Sequence, residues 1–93
     1  MKTYDKAAWH IDGGENPTDV IQKFEHVYEF LNRHDMLTED GKEILDAGID
    51  DSAALTSNDL TPAGRYFVED YYDSLINLTV EELQKKLNSI VSL

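Results

Sequence analysis

Apolar side chains recur along this chain at intervals of three and four, and the runs open just after residues suited to cap a helix. That period commits the backbone to helices, because only a 3.6-residue turn gathers positions i, i+3, i+4 and i+7 on one side. Asn16 followed by Pro17, with Asp19 in the first turn, reads as an N-cap and first helical position. Val20, Ile21, Phe24, Val27, Tyr28 and Leu31 then share one arc, opposite Gln22, Glu25, Glu29 and Arg33, and predict a helix over 17–34. Thr38 caps a shorter helix over 39–47, with Ile44 and Leu45 inward and Gly48 as its stop. Thr61 and Pro62 open a third over 62–77. Thr79 and Glu82, in capping-box spacing, open a fourth over 80–91, with Val80, Leu83, Leu87, Ile90 and Val91 as its stripe. The expected fold is all-α, a small bundle of about four helices.

The N-terminal segment fits this scheme less well. Trp9 and Ile11 alternate as in a short strand, yet a strand needs a partner that the helical remainder does not plainly offer. The segment is expected to lie extended, with Trp9 covering the edge of the core. Phe30 falls outside the apolar arc of its helix, and Trp9 or Ile11 is its expected cover. The stretch "GIDDSAALTSND" has the Asp and Ser density of a connection, to which Ala53, Ala54 and Leu55 add at most one helical turn.

At 93 residues and 41% hydrophobic, residues 1–93 suffice for one core and not for two, so a single domain is expected. The chain has no cysteine, which removes disulfides, thiolate nucleophiles and thiolate zinc sites. "MKTYDKAAWHIDGG" lacks the apolar stretch of a secretion signal, and no apolar run approaches the ~18 residues that cross a bilayer. A cytoplasmic, soluble protein without a membrane partner is the expectation.

Charge narrows the partners. Eight Lys and Arg against 19 Asp and Glu give a formal net charge of −11. Phosphate backbones and anionic membranes are held through Lys and Arg, so nucleic acid is not an expected partner, whereas a basic protein would be attracted. Residues 35–79 own the acidity, with 11 acidic and 2 basic groups, against 6 and 4 in residues 1–34 and 2 and 2 in residues 80–93.

A short internal repeat lies inside that acidic region. "LTEDGKEIL" at Leu37–Leu45 and "LTPAGRYFV" at Leu60–Val68 share Leu-Thr-x-x-Gly, a basic residue, and one residue before an apolar pair. The mechanical reading is that Thr caps, the next residue is the first of the helix, and the glycine in the first turn lets another backbone come close. Such segments are similar to the helix start that follows the wing in many winged-helix regulators, a resemblance confined to about nine residues per copy. It implies a winged-helix-like regulator component, although a DNA-reading helix wants Lys, Arg, Asn and Gln where this chain has carboxylates.

Projected on a helical wheel, residues 61–78 sort into two sides. Phe67, Val68, Tyr71 and Leu75 share an arc with Gly64 and Ser74, which casts Tyr71 as a core residue with its hydroxyl in water. Tyr66, Glu69, Asp70 and Asp73 face away, and Tyr72 sits at the border near Ile76. An exposed tyrosine ringed by acids is the composition of a contact patch for a Lys- or Arg-rich protein, since the ring supplies buried area and the acids steer approach. Tyr66, Glu69, Asp70, Tyr72 and Asp73 are therefore the candidate partner-binding residues.

Catalytic and metal chemistry find little purchase. His10, His26 and His34 lack ligand spacing, so no metal or other cofactor is expected. His26 lies on a wet face. Asp12, Glu15 and Asp19 around two glycines do not follow the alternation of a calcium loop. Gly41-Lys42 lacks the upstream glycine of a phosphate loop, since Met36 occupies that place. Carboxylates are too plentiful for any pair to signal acid/base work, and Asp50-Asp51 reads as a solvated turn. The sequence thus points away from an enzyme and toward an interaction protein that is immunity-like, inhibitor-like or a nucleic-acid mimic. A homodimeric accessory domain, joined near Trp9, Phe30 and the C-terminal "SIVSL", is the further alternative, so the chain is expected to be a monomer or a homodimer.

Overall fold

The computed structural model describes residues 1–90. It is a small helical bundle with a two-stranded antiparallel sheet at one side. In chain order these are β1 (Thr3–Lys6), α1 (Ala7–Asp12), α2 (Pro17–Arg33), α3 (Glu39–Ala47), β2 (Ala54–Thr56), a 3-10 turn (Ser57–Asp59), α4 (Pro62–Ile76) and α5 (Val80–Ser89). The four longer helices fall where the periodicity places them. Val91 of the expected α5 stripe and most of "SIVSL" lie outside the described residues.

The helix α2 is the central element. Asn16 accepts a hydrogen bond from the Asp19 amide at 3.2 Å, Pro17 occupies the first turn, and Val20, Phe24, Val27, Tyr28, Phe30 and Leu31 are buried. Phe30 is fully buried, and its cover is not Trp9 or Ile11 but Phe67 of α4, with ring centroids 5.0 Å apart, and His34 at 4.4 Å. Trp9 is exposed, with the Lys6 ammonium 5.8 Å from its ring centroid. Both expectations assumed an N-terminal segment folded over the bundle. It instead packs beside the bundle as a strand and a short helix, leaving the Phe30 side to α4.

The strand partner comes from the stretch read as a connection. β1 pairs with β2 through Thr3–Thr56, Asp5–Leu55 and Lys6–Ala54, and Ala7 N–H to Ala53 O at 3.0 Å continues the ladder. Ala54 and Leu55 are thus strand residues, not a helical turn. Leu55 is buried, and on β1 Asp5 is the residue turned inward.

The Leu-Thr-x-x-Gly repeat is the joint between the halves of the chain. Leu37 and Leu60 form an antiparallel bridge, Thr38 N–H donates to Asp59 O at 3.0 Å, and Thr61 N–H donates to Met36 O at 3.0 Å. Thr38 and Thr61 each cap their own helix by accepting from the Gly41 and Gly64 amides. A Cβ on Gly41 would sit 2.4 Å from Asp59 O, and one on Gly64 would sit 2.5 Å from Met36 O. The backbone that each glycine admits is therefore the residue just before the leucine of the other copy. The two copies face one another in a pseudo-two-fold arrangement, reached by a reversal at Asp35, whose φ of 56° lies in the left-handed region that Asp tolerates better than most residues.

Candidate functional site

The candidate patch is built on α4. Thr61 and Pro62 start the helix, and Gly64, Phe67, Val68, Tyr72, Leu75 and Ile76 bury its inner side. Anchored this way, the helix turns Tyr66, Glu69, Asp70 and Asp73 outward together, with Tyr66 72% exposed. None of the three carboxylates makes an ion pair with the described residues. Glu69 is nevertheless held, since its Oε2 accepts from the Tyr4 hydroxyl of β1 at 2.8 Å. Burial raises the Tyr4 pKa, and the hydrogen bond and charge of Glu69 raise it further against the opposing effect of Arg65, so Tyr4 remains the donor.

Glu69 separates two open depressions. One, of about 350 Å³, lies between β1 and α4 and is lined by Lys2, Tyr4, Glu69 and Asp73 among others. The other, of about 280 Å³, is lined by Pro62, Arg65, Tyr66 and Glu69. Lys2 and Arg65 are the cations of these walls, and Lys2 Nζ lies 4.9 Å from the Tyr4 ring centroid.

Tyr72 lines the first depression beside Glu69 and Asp73 but adds almost no exposed surface to the patch. It is only 4% exposed and points into the core, while Tyr71, expected inside, is 49% exposed and rests against Phe67 with centroids 5.2 Å apart. The inner arc of α4 is rotated toward Tyr72 and Ile76 relative to the wheel projection. Two features accompany this rotation: the apolar Ile76, one turn beyond Tyr72, is buried on that side, and the Tyr72 hydroxyl donates to the buried Asp5 Oδ2 at 2.6 Å, a contact that a wheel drawn from apolar residues cannot see. Burial, with the charge of Asp5 beside it, holds the Tyr72 hydroxyl protonated far above the ordinary tyrosine range.

Asp5 opens a polar chain that sequence spacing did not reveal. Its Oδ2 also meets His10 Nε2 at 2.6 Å, and His10 Nδ1 meets Glu15 Oε2 at 2.8 Å. Glu15 Oε1 accepts from the buried Lys23 Nζ at 3.4 Å, and that ammonium also donates to Ile76 O at 3.2 Å. With a carboxylate on each ring nitrogen, only the imidazolium form of His10 donates to both. Burial alone would lower its pKa, but the hydrogen bonds and charges of Asp5 and Glu15 prevail and raise it. Burial likewise pushes Glu15 up, and His10 and Lys23 more than reverse this. The run Tyr72–Asp5–His10–Glu15–Lys23 fastens β1 and α1 to α2 and α4. The only signal in the sequence is the five-residue spacing of Asp5, His10 and Glu15, which matches neither strand nor helix and becomes meaningful once α1 turns the chain back.

Among the described residues no helix is long and apolar enough to cross a membrane, and no three His, Cys, Asp or Glu gather as metal ligands would. Comparison of the chain with protein-family models, curated proteins and solved structures finds no match.

Proposed function

We propose that this protein is a non-enzymatic interaction module that offers the outer side of α4 to a basic protein partner, as immunity proteins, inhibitors and nucleic-acid mimics do. The observation that carries the reading is a tyrosine 72% exposed among three exposed carboxylates that make no ion pair with the described residues. Large aromatic rings left in water are the groups that gain most from burial at an interface. Unpaired acids around such a ring attract a cationic surface from a distance and select against an anionic one. The net charge of −11 extends that field. The cytoplasm is the proposed site of action, and neither nucleic acid nor membrane takes part.

The test starts in the producing cell with a photo-crosslinking side chain in place of Tyr66, followed by affinity measurement on the purified pair. The expected partner is a protein with a basic surface, bound at least about tenfold more weakly at roughly 500 mM than at roughly 50 mM NaCl. Changing Glu69→Gln, Asp70→Asn and Asp73→Asn together should weaken it similarly. Affinity indifferent to both salt and the triple change would overturn the reading, and a crosslink to a second copy of the chain would replace it with a homodimer.

A further inference from the structure

A second site lies away from the outer side of α4, where α3, β2 and the 3-10 turn meet. Ile44, Ala47, Ile49 and Ala54 line an open depression of about 370 Å³, with Asp50 and the buried Asp59 also in its wall. That volume is at the lower end for small-ligand sites.

Asp59 is 3% exposed, and each hydrogen bond to its carboxylate ends on one oxygen. Oδ2 accepts from the Tyr28 hydroxyl at 3.2 Å, the Thr56 amide at 3.2 Å and the Thr56 hydroxyl at 3.1 Å. Oδ1 accepts nothing from the described residues, and Asp59 is among the residues that line the depression. Asp5, the other buried carboxylate, is matched by His10, whereas Asp59 makes no ion pair with the described residues. Its three donors stabilise the charge from one side and leave the acceptor capacity of the second oxygen unused by the described residues.

The same depression receives the end of α3 at Ala47 and Gly48. A helix C-terminus carries partial negative charge and favours cations, and the last turn of α3 has no basic residue to answer it. The wall is thus apolar in body and negative at three points, the exposed Asp50, the buried Asp59 and the end of α3. A hydrated metal ion gains nothing from Ile44, Ile49 and Ala54, while an aliphatic chain ending in an ammonium satisfies both parts of the wall.

We infer that this depression binds a primary alkylammonium, its charged head on Asp59 Oδ1 and its aliphatic body against Ile44, Ile49 and Ala54. Two sources share that chemistry, a free small amine and a lysine side chain. The test is an amide chemical-shift titration of the whole chain with n-butylamine, with Nα-acetyl-lysine methylamide, and with n-butanol as the uncharged control. Saturable shifts confined to the amides of Gly48, Ile49, Ala54 and Thr56 are expected with one or both amines and not with n-butanol. The tighter of the two amines identifies the source. Asp59→Asn should weaken binding at least about tenfold, a change of ~1.4 kcal/mol. Because that substitution also touches the Thr56 and Tyr28 contacts, Ala47→Trp serves as the second variant: it fills the mouth from an exposed helical position and should abolish the shifts. Failure of both amines to bind, equal binding of n-butanol, or full binding by the Ala47→Trp variant would each overturn the inference.

Discussion

The α-carbon of Gly41 lies so close to the carbonyl of Asp59 that a methyl group on it would stand 2.4 Å from that oxygen. Gly64 stands in the same relation to Met36, at 2.5 Å. In an exposed helix, replacing glycine by alanine stabilises by about 1 kcal/mol. Here Gly41→Ala and Gly64→Ala should each destabilise by at least about 2 kcal/mol, because the obstacle is backbone and cannot rotate away. Urea unfolding of the two variants checks the sign; a gain in stability at either position would contradict the close approach.

Stability should depend on pH through His10 and Glu15. The folded pKa of His10 is raised, so its contribution is fully present below the ordinary value of 6.5 and is lost as pH rises through the folded value. The folded pKa of Glu15 is lowered, so its contribution is present above the ordinary value of 4.5 and is lost as pH falls through the folded value. The polar chain therefore adds most between those two ordinary values. Urea midpoints measured across this window should fall on its alkaline side in the parent chain and less so in His10→Gln; parallel profiles would mean that His10 gains no proton affinity on folding.

Tyr72→Phe keeps the ring and removes the donor to Asp5. Loss of a hydrogen bond to a buried carboxylate should cost about 2 kcal/mol. Tyr71→Phe, on the half-exposed neighbour, should lie within about 0.5 kcal/mol of the parent. Thermal unfolding of the pair distinguishes the observed rotation of α4 from the one drawn on apolar residues alone, for which the two effects would be comparable.

The outer residues of α4 should contribute to binding and not to folding. Tyr66→Ala should shift stability by no more than about 0.5 kcal/mol, and so should the combined Glu69→Gln, Asp70→Asn and Asp73→Asn change, apart from the Tyr4 contact to Glu69. Calorimetric unfolding of both variants tests this; a large loss would show that the patch holds the fold together.

The helices were readable because each pairs a local cap with a sustained apolar period, and both signals sit within one stretch of chain. The opening of each first turn to a second backbone was readable for the same reason. What escaped was long-range and polar. Ala54–Thr56 is three residues long and acquires its strand character only from β1, some fifty residues away. The inward turn of Tyr72 brings its hydroxyl to Asp5, separated from it by 67 positions. The shared outward side of Tyr66, Glu69, Asp70 and Asp73 is legible because one helix carries all four; the burial of Tyr72 and of Asp59 is not, because their partners lie on other elements.

The reciprocal seating of the two Leu-Thr-x-x-Gly segments has a bearing on cutting the chain. A break between Gly48 and Ser52 would yield two fragments, each bearing one threonine-capped glycine whose opposing carbonyl resides on the other piece. Neither fragment alone can cover its helix start, and together they carry complementary halves of one seam, the arrangement that a split-protein reporter requires.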